Sequence, residues 1–340
     1  MRIHWSTWLL PVGVLAWGLY TGISPRGLAW LALFVLATLT CVLLHELGHA
    51  AAARWAGVRV HDIVLLPVGG AARLGSLPGR PWQEAGVAFA GPLVNLIIAL
   101  LLAPSLWLWP SHEWMPIPDN YDLGSMLVSL ALFNGVVFAF NLLPAFPLDG
   151  GRLLRAGLCN FMPRLRATRI AAFVARVLAL VGLAWGTYEG SFLLVGFAAY
   201  VFIVAGREVR GAKVRAFLEE TRLGEVALPT RVFDPLTPVA DVLQALRHHQ
   251  QRGAVVADDC SPIGFVTQRM LADVDGGRHV GDLELCAVQC HDSQATLREL
   301  SVQFAEHPAS VAIEEIDHRP AGFVDLDILD ECFRAYAKEA

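Results

Sequence analysis

The sequence predicts a polytopic α-helical membrane protein with an interfacial β-hairpin, followed by a soluble α/β tail. Of the 340 residues, 55% are hydrophobic and only 17% are charged, and the mean hydropathy is +0.50, which is unusual for a soluble globular protein. The apolar residues gather in windows close to the ~20 residues that a helix needs to cross the hydrocarbon. From about Leu223 the composition changes to that of a soluble α/β domain. The net charge is −5, and the sequence lacks the basic character typical of nucleic-acid-binding proteins, so no nucleic-acid partner is expected.

Six transmembrane helices are predicted from the apolar windows, at 6–22, 28–53, 82–103, 123–143, 168–187 and 190–206. Clusters of arginine follow the second, fourth and sixth windows, whereas Arg26 is the one Lys or Arg in the other loops. Because positively charged loops stay in the cytoplasm, we expect both termini and the tail to be cytoplasmic, in a multi-pass protein of the cell membrane. The N-terminal run has no convincing cleavage site and is interpreted as a retained first span.

A short β-prone run from Val58 to Leu66 precedes Gly69 and Gly70. This segment is too short, and too broken by glycine, to be another span. A strand or hairpin that dips into the membrane interface is therefore predicted between the second and third spans.

The soluble tail contains an internal repeat. Leu223–Val226 reappears 57 residues later as Val280–Leu283, and Gly264–Val266 reappears 58 residues later as Gly322–Val324. Two copies of one strand–helix unit are implied, at 223–278 and 279–340, after a transmembrane domain at 1–206 and a charged linker at 207–222. Within the copies, helices are predicted near Val239–Gln250 and Ala295–Glu306, and strands near Gly253–Ala257 and Ser310–Ile313.

Three ionisable residues lie inside the second predicted span, namely His45, Glu46 and His49. Two histidines four residues apart project from one face of a helix and can bind zinc, while the glutamate between them can take a proton from water on the metal. Ionisable groups are costly in hydrocarbon, so residues of this kind mark functional sites. The alternative is a polar patch between packed helices, which needs a partner for each group.

A third ligand is predicted from the segment 141–152, at the end of the fourth span and at the same predicted depth as the histidines. Pro144 and Pro147 break the helix there, which a membrane tolerates only where the backbone lines a cavity enclosed by protein. Asp149 is placed to complete a site of two histidines and one carboxylate. Such a site leaves a fourth position open, as in catalytic zinc sites. Asp149 as a helix cap or as a partner of Arg152 is the alternative.

These motifs resemble those of the site-2 proteases, which are intramembrane zinc metalloproteases. The chain is similar to the six-span prokaryotic type with a C-terminal pair of cystathionine-β-synthase (CBS) domains, and the resemblance covers nearly all of it. The resemblance rests on three segments, His45–Ala50 (HELGHA), Phe89–Asn95 (FAGPLVN) and Asn141–Arg152 (NLLPAFPLDGGR).

The resemblance implies a role for each motif residue. His45, His49 and Asp149 would bind one zinc ion, and Glu46 would be the general base of peptide hydrolysis. Asn141 would help to hold the substrate or the developing oxyanion, a place where an amide donor is chemically sensible.

The implied substrate is a membrane protein with a transmembrane segment. An open strand edge at Gly69 and Gly70 could take an unwound stretch of that substrate as an added strand, and a plain interface loop is the alternative. Asn95 lies in the resembling motif and is expected to contact substrate. The small residues near it, Gly91 and Pro92, fit a helix-contact surface equally well.

The tail resembles tandem CBS modules, which in many proteins bind adenine nucleotides through a Thr or Ser and an Asp after the last strand. Here Thr267 keeps the threonine, but Met270 takes the place of the aspartate. In the second copy, Asp325 and Ile328 occupy the two places. These departures argue against an adenine nucleotide. A homodimer through the tail, a sensor of another ligand and a structural cap remain alternatives.

Two other functions compete with proteolysis. A zinc-binding membrane scaffold or pseudoprotease that recruits partners through the tail would not need Glu46, whereas hydrolysis does. A metal transporter would need ligands spaced along several spans rather than at one depth. Cys286, Cys290 and His291 lack a matching pair and are not interpreted as a second metal site.

Overall fold

The computed structural model describes residues 2–3, 9–58, 60–66, 69–74, 80–108, 123–259, 261–307, 310–316 and 319–339. By its internal contacts the chain divides into two compact units, Met1–Val209 and Arg210–Ala340. The elements of the first unit are, in chain order, β1 (Arg2–Ile3), α1 (Leu9–Tyr20), α2 (Pro25–Trp55), β2 (Val60–Leu66), β3 (Gly69–Leu74), α3 (Pro81–Leu102), α4 (Ser105–Leu108), α5 (Leu123–Asn141), α6 (Asp149–Leu158), α7 (Arg164–Tyr188) and α8 (Phe192–Glu220).

Five helical segments of the described chain are long and apolar enough to cross a membrane: α2, α3 together with α4, α5, α7 and α8. They correspond to the second to sixth predicted spans. The first predicted span, 6–22, is represented by α1, whose 12 residues extend about 18 Å and fall short of the ~30 Å of hydrocarbon. Residues 6–8 of that span lie outside the described residues. The predicted linker 207–222 continues helix α8 as far as Glu220.

Small residues let helices α7 and α8 approach closely. The buried face of α7 consists of alanines, which form one core cluster with Val201 and Ala205 of α8. The alanines are Ala171, Ala172, Ala175 and Ala179. Because lipid tails are as apolar as the side chains, helices in a membrane associate through such close van der Waals contacts.

Helix α6 is separate from α5 because residues 142–148 turn the chain. Phe146 in this turn is 1% exposed and anchors it in the core. Gly150 packs directly against the turn, since a Cβ there would lie 2.2 Å from the carbonyl oxygen of Leu143. The predicted helix break is therefore present, and it places Asp149 in the first turn of α6, where its side chain is buried.

The predicted interfacial hairpin is present as strands β2 and β3, which pair antiparallel. The sequence did not predict a third strand, β1, which runs parallel to β2 with Arg2 opposite Val64. The order in the sheet is β1-β2-β3, so β2 has a neighbour on each side. The strand before Gly69 therefore does not offer the open edge that a substrate would need. Among the described strands, the outer edge at Gly69 and Gly70 belongs to β3.

The second unit is an α/β domain with a repeated order of elements. Its elements are α9 (Leu223–Val226), β4 (Leu228–Pro229), β5 (Val232–Phe233), α10 (Val239–His248), β6 (Gly253–Asp258), β7 (Ser261–Thr267), α11 (Gln268–Ala272), a 3₁₀ turn (Val280–Asp282), β8 (Val288–Asp292), α12 (Leu297–Glu306), β9 (Val311–Ile316), β10 (Arg319–Val324) and α13 (Leu326–Glu339). The series β5-α10-β6-β7-α11 recurs as β8-α12-β9-β10-α13, which is the order expected of two copies of one unit. The predicted strand at Ser310–Ile313 extends further, to Ile316.

The two copies of the tail are interlocked. β4 lies at the start of the first copy, before β5, but pairs with β10 of the second, with Phe323 opposite Leu228. The repeated phenylalanines, Phe265 and Phe323, are both buried, and their ring centroids lie 4.6 Å apart. Tilted aromatic pairs at this distance are favourable beyond their burial alone. The motif that revealed the repeat thus supplies the contact between its copies.

Phe265→Ala is expected to lower the free energy of unfolding of the tail by about 3–5 kcal/mol, because it removes a fully buried ring. Hydrogen exchange of strands β6 and β7, measured on the full chain across a urea series, reports this change. Ile263→Ala on the same strand is the matched control, because Ile263 is 48% exposed and its loss should cost less than about 1 kcal/mol. Equal losses in the two variants would contradict the shared core.

Candidate metal centre

Helices α2 and α6 bring three potential metal ligands to one point. The Nε2 atoms of His45 and His49 are 3.1 Å apart, and Oδ2 of Asp149 lies 3.4 Å from the first and 3.2 Å from the second. All three residues are buried. Within the described ranges, they are the one group of His, Cys, Asp or Glu side chains arranged to hold a metal ion. The carboxylate is therefore directed at the histidines, and the N-cap residue of its helix is Leu148 rather than Asp149.

Both imidazoles turn Nε2 toward this point because Nδ1 of each is hydrogen-bonded elsewhere. Nδ1 of His49 lies 2.7 Å from the backbone oxygen of Val87, and Nδ1 of His45 lies 2.5 Å from the side-chain oxygen of Asn95. A carbonyl oxygen only accepts, so Nδ1 donates in each case and the neutral ring keeps a free lone pair on Nε2. Two lone pairs and a carboxylate held this close together call for a cation between them.

The separation of the three atoms fits zinc. Tetrahedral zinc with ligands at ~2.0–2.1 Å holds neighbouring ligand atoms about 3.3–3.4 Å apart, and the observed separations are 3.1–3.4 Å. Gly91 of α3 keeps this space free, since a Cβ there would lie 2.3 Å from Nε2 of His49 and 2.7 Å from Nε2 of His45. Of the two interpretations of Gly91, a place in the catalytic core therefore fits better than a surface for helix contact alone.

Two buried asparagine side chains are linked by hydrogen bonds to His45. Asn95 and Asn134 are both fully buried, and the amide nitrogen of Asn95 donates to the side-chain oxygen of Asn134 at 2.8 Å. Asn134 in turn donates to the backbone oxygen of Leu130 at 2.8 Å. Asn95, predicted to contact substrate, instead has its side chain engaged by His45 and Asn134, so it orients a ligand. The sequence interpretation missed Asn134, whose signal is a polar amide inside a predicted span.

The other predicted site residues lie on α2, α5 and β3. Glu46 follows His45 on α2 and is 6% exposed. Asn141 is the last residue of α5, is partly exposed, and donates from its amide nitrogen to the backbone oxygen of Val137 at 3.0 Å. Gly69 and Gly70 are the first residues of β3, where they pair with the end of β2.

In the tail, the positions that hold a nucleotide in many CBS modules form hydrogen bonds within the nearby backbone. The hydroxyl of Thr267 accepts from the backbone N–H of Met270, and the carboxylate of Asp325 accepts from the backbone N–H of Ile328. Ile328 belongs to the buried core of the tail. Neither Met270 nor Ile328 offers a hydrogen-bonding side chain to a ribose.

The cysteines of the tail are poorly suited to hold a metal. Partial burial, together with a hydrogen bond and the charge of Glu315, raises the pKa of the Cys290 thiol to about 12. Burial likewise raises the pKa of the Cys286 thiol. Because the thiolate is the form that binds metals, both side chains are protonated and weak ligands near neutral pH.

Known proteins share the segments that build this centre. The family model described as peptidase family M50 matches residues 33–115 and 116–185, which include all three ligands. The zinc metalloprotease MJ0392 of Methanocaldococcus jannaschii is 30% identical over 249 residues, covering 72% of this chain and 69% of that protein. The chain belongs to peptidase family M50. This M50 peptidase is also 33% identical to Rip3 of Mycobacterium tuberculosis over 323 residues, covering 84% of the chain and 77% of Rip3.

Solved structures also match this M50 peptidase. A site-2 protease from Methanocaldococcus jannaschii matches at 32% identity and a TM-score of 0.46, covering 61% of this chain and 89% of that one. The CBS domain of a bacterial CNNM/CorC family Mg2+ transporter matches at 18% identity and a TM-score of 0.31, covering 45% of this chain and 92% of that one. Membership of the M50 family makes the protein a zinc metalloprotease and decides for hydrolysis over metal transport.

Gly91→Ala is expected to abolish zinc binding by this M50 peptidase, because the added methyl group would fill the space in which the imidazoles meet. Gly86→Ala is the matched control, since Gly86 lies on the same helix and a Cβ there meets nothing within 4 Å. Mass spectrometry of metals in the purified protein measures the zinc content. Full zinc content in Gly91→Ala would contradict the placement of Gly91 at the centre.

Asn95→Leu is expected to weaken zinc affinity about 10–100-fold, because the acceptor that fixes the orientation of His45 is lost. Competition with a chelator of known affinity measures the change. Asn160→Leu serves as the control, because Asn160 is exposed and bonds only to backbone oxygens of its own helix region. An affinity in Asn95→Leu equal to that of the control would show that His45 needs no support from α3.

Proposed function

We propose that this protein is an intramembrane zinc endopeptidase, which hydrolyses peptide bonds within or near transmembrane segments of membrane proteins in regulated intramembrane proteolysis. One observation carries the proposal: His45, His49 and Asp149 converge within 3.1–3.4 Å beside helices apolar enough to lie in a membrane. Three protein ligands that leave one coordination position open fit a catalytic zinc site better than a purely structural one.

The proposed mechanism assigns a step to each catalytic residue. Zinc bound by the three ligands would polarise the scissile carbonyl and make water more acidic. Glu46 accepts the proton of the attacking water on a carboxylate oxygen and later donates it to the leaving amine nitrogen. Asn141 donates its amide N–H to the substrate or to the developing oxyanion, which requires release of its bond to Val137.

We place the centre toward the cytoplasmic side of the membrane, with both termini in the cytoplasm. His45 and His49 lie in the last third of α2, and Arg54 stands in its final turn. Positive residues favour the cytoplasmic side, so water would reach the centre from there. Because α2 rises about 1.5 Å per residue, the few residues between the two histidines and Arg54 leave the ionisable ligands only a short distance from water.

We further propose that substrate is presented as a strand on β3. A transmembrane helix resists proteolysis because its carbonyls are hydrogen-bonded within the helix, so it must unwind before cleavage. β3 pairs with β2 on one side, and among the described strands its other edge carries no neighbour. Gly69 and Gly70 let a second backbone approach this edge closely. Substrates with helix-breaking residues near the cytoplasmic end should therefore be preferred.

Glu46→Gln is expected to retain zinc and to lose cleavage by a factor of at least about 10², because the general base is removed while the ligands stay. Cleavage of a reconstituted membrane-protein substrate and zinc content are measured in parallel. His45→Ala is the companion variant, which should lose both. Cleavage by Glu46→Gln at the wild-type rate would remove Glu46 from the mechanism, and a wild type that binds zinc without cleaving would favour a scaffold.

A photo-crosslinking residue at Ala71 of β3 is expected to capture a transmembrane substrate bound to Glu46→Gln, because the added strand would lie beside it. The same probe at Phe161, which is 87% exposed and lies beyond α6, is the control. Crosslinked products are identified by mass spectrometry. Equal capture at both positions would contradict presentation on β3.

A further inference from the structure

A buried ion pair joins helix α3 to the helix that carries the carboxylate ligand. Glu84 lies in the first turn of α3, and Arg155 lies in the last turn of α6. Nη2 and Nε of Arg155 lie 2.6 Å and 2.8 Å from Oε1 of Glu84. Both residues are only 4% exposed. Two short bonds from one guanidinium fix orientation as well as distance, which a single ammonium cannot do.

Two further charges complete the network. Arg164, at the start of α7, binds the other oxygen of Glu84 at 2.5 Å, and Glu208 of α8 lies 3.2 Å from Nη1 of Arg155. The four side chains carry two positive and two negative charges, so the network is neutral. It ties together the ends of α3, α6 and α7 and the middle of α8.

The network lies next to the turn that leads into Asp149. The guanidinium of Arg155 stands over the ring of Phe146, 5.1 Å from its centroid. Phe146 belongs to the buried turn between α5 and α6, and Asp149 follows it within the same turn region. Arg155 lies at the far end of α6 and contacts Phe146, in the turn before that helix. Its bonds to Glu84 join the same helix to α3.

The position of helix α6 along its own axis decides where its first turn places the carboxylate. The helix has 10 residues and begins directly after a tight turn. A shift of such a helix by one residue moves its first turn by about 1.5 Å, which is a large fraction of a zinc–ligand bond. The histidines on α2 would not follow this shift, because their Nδ1 atoms are bonded to Val87 and Asn95 of α3.

We propose that Glu84 and Arg155 are positioning residues for the zinc centre, which hold Asp149 in register with His45 and His49. The inference rests on the proposed function, since it takes the three residues as zinc ligands. Glu84 lies on the same buried face of α3 as Val87, Gly91 and Asn95. This single face thus supports each of the three ligands, the two histidines directly and Asp149 through Arg155.

The test is cobalt binding by the metal-free full chain in lipid nanodiscs, followed by visible absorption of the bound ion. Cobalt(II) replaces zinc in such sites, and its spectrum reports coordination geometry independently of cleavage. Arg155→Met and Glu84→Gln are expected to weaken cobalt affinity about 10–100-fold and to alter the spectrum. Arg155→Lys keeps the positive charge but not the planar guanidinium, so it should recover only part of the affinity. Arg166→Met, an exposed arginine of α7 outside the network, should match wild type.

A double variant, Glu84→Leu with Arg155→Met, covers the case in which a lone buried charge unfolds the protein, because it removes both members of the pair. It should fold and show the same loss of affinity. Wild-type affinity and spectrum in the folded variants would overturn the proposal and leave the network a purely structural clamp. Absence of cobalt binding by the wild type would instead overturn the zinc centre itself, so the two failures are distinguishable.

Discussion

The contact of one face of helix α3 with helices α2 and α6 is the interaction on which the metal centre depends. Glu84, Val87, Gly91 and Asn95 recur every three or four residues and are all buried. Val87 and Asn95 orient the imidazoles, Gly91 leaves the room in which they meet, and Glu84 binds the helix of the carboxylate. A helix that contributes no ligand therefore determines where every ligand lies.

The buried polar side chains around the metal centre pair with one another. Asn95 bridges His45 and Asn134, and Glu84 receives both Arg155 and Arg164. In a medium of low dielectric constant such bonds are strong, and an unpaired member is correspondingly costly. The pairs formed by Glu84 also join α3 to α6 and α7, and Arg155 joins this group to α8 through Glu208. Rigidity at the centre and order in the helix bundle thus have a common physical origin.

Local patterns in the sequence predicted much of this architecture. Apolar windows located the long helices, the spacing of His45 and His49 placed them on one face, and the prolines after Asn141 indicated the break before Asp149. The repeat of Gly264–Val266 predicted the two copies in the tail. Contacts between distant segments were not predictable in this way, because no periodicity links Asn134 to Asn95 or Glu84 to Arg155. Strand β1 escaped notice for the same reason, since two residues carry no pattern of their own.

The interlocked sheets of the tail have a consequence for how this region can be divided. β4 lies in the first copy yet completes the sheet of the second, and Phe265 packs against Phe323 across the repeat. The border between the copies is therefore visible in the sequence repeat but does not separate two independent cores. A shortened form that ends between them would expose one half of a shared interior, so the tail is expected to fold and unfold as a whole.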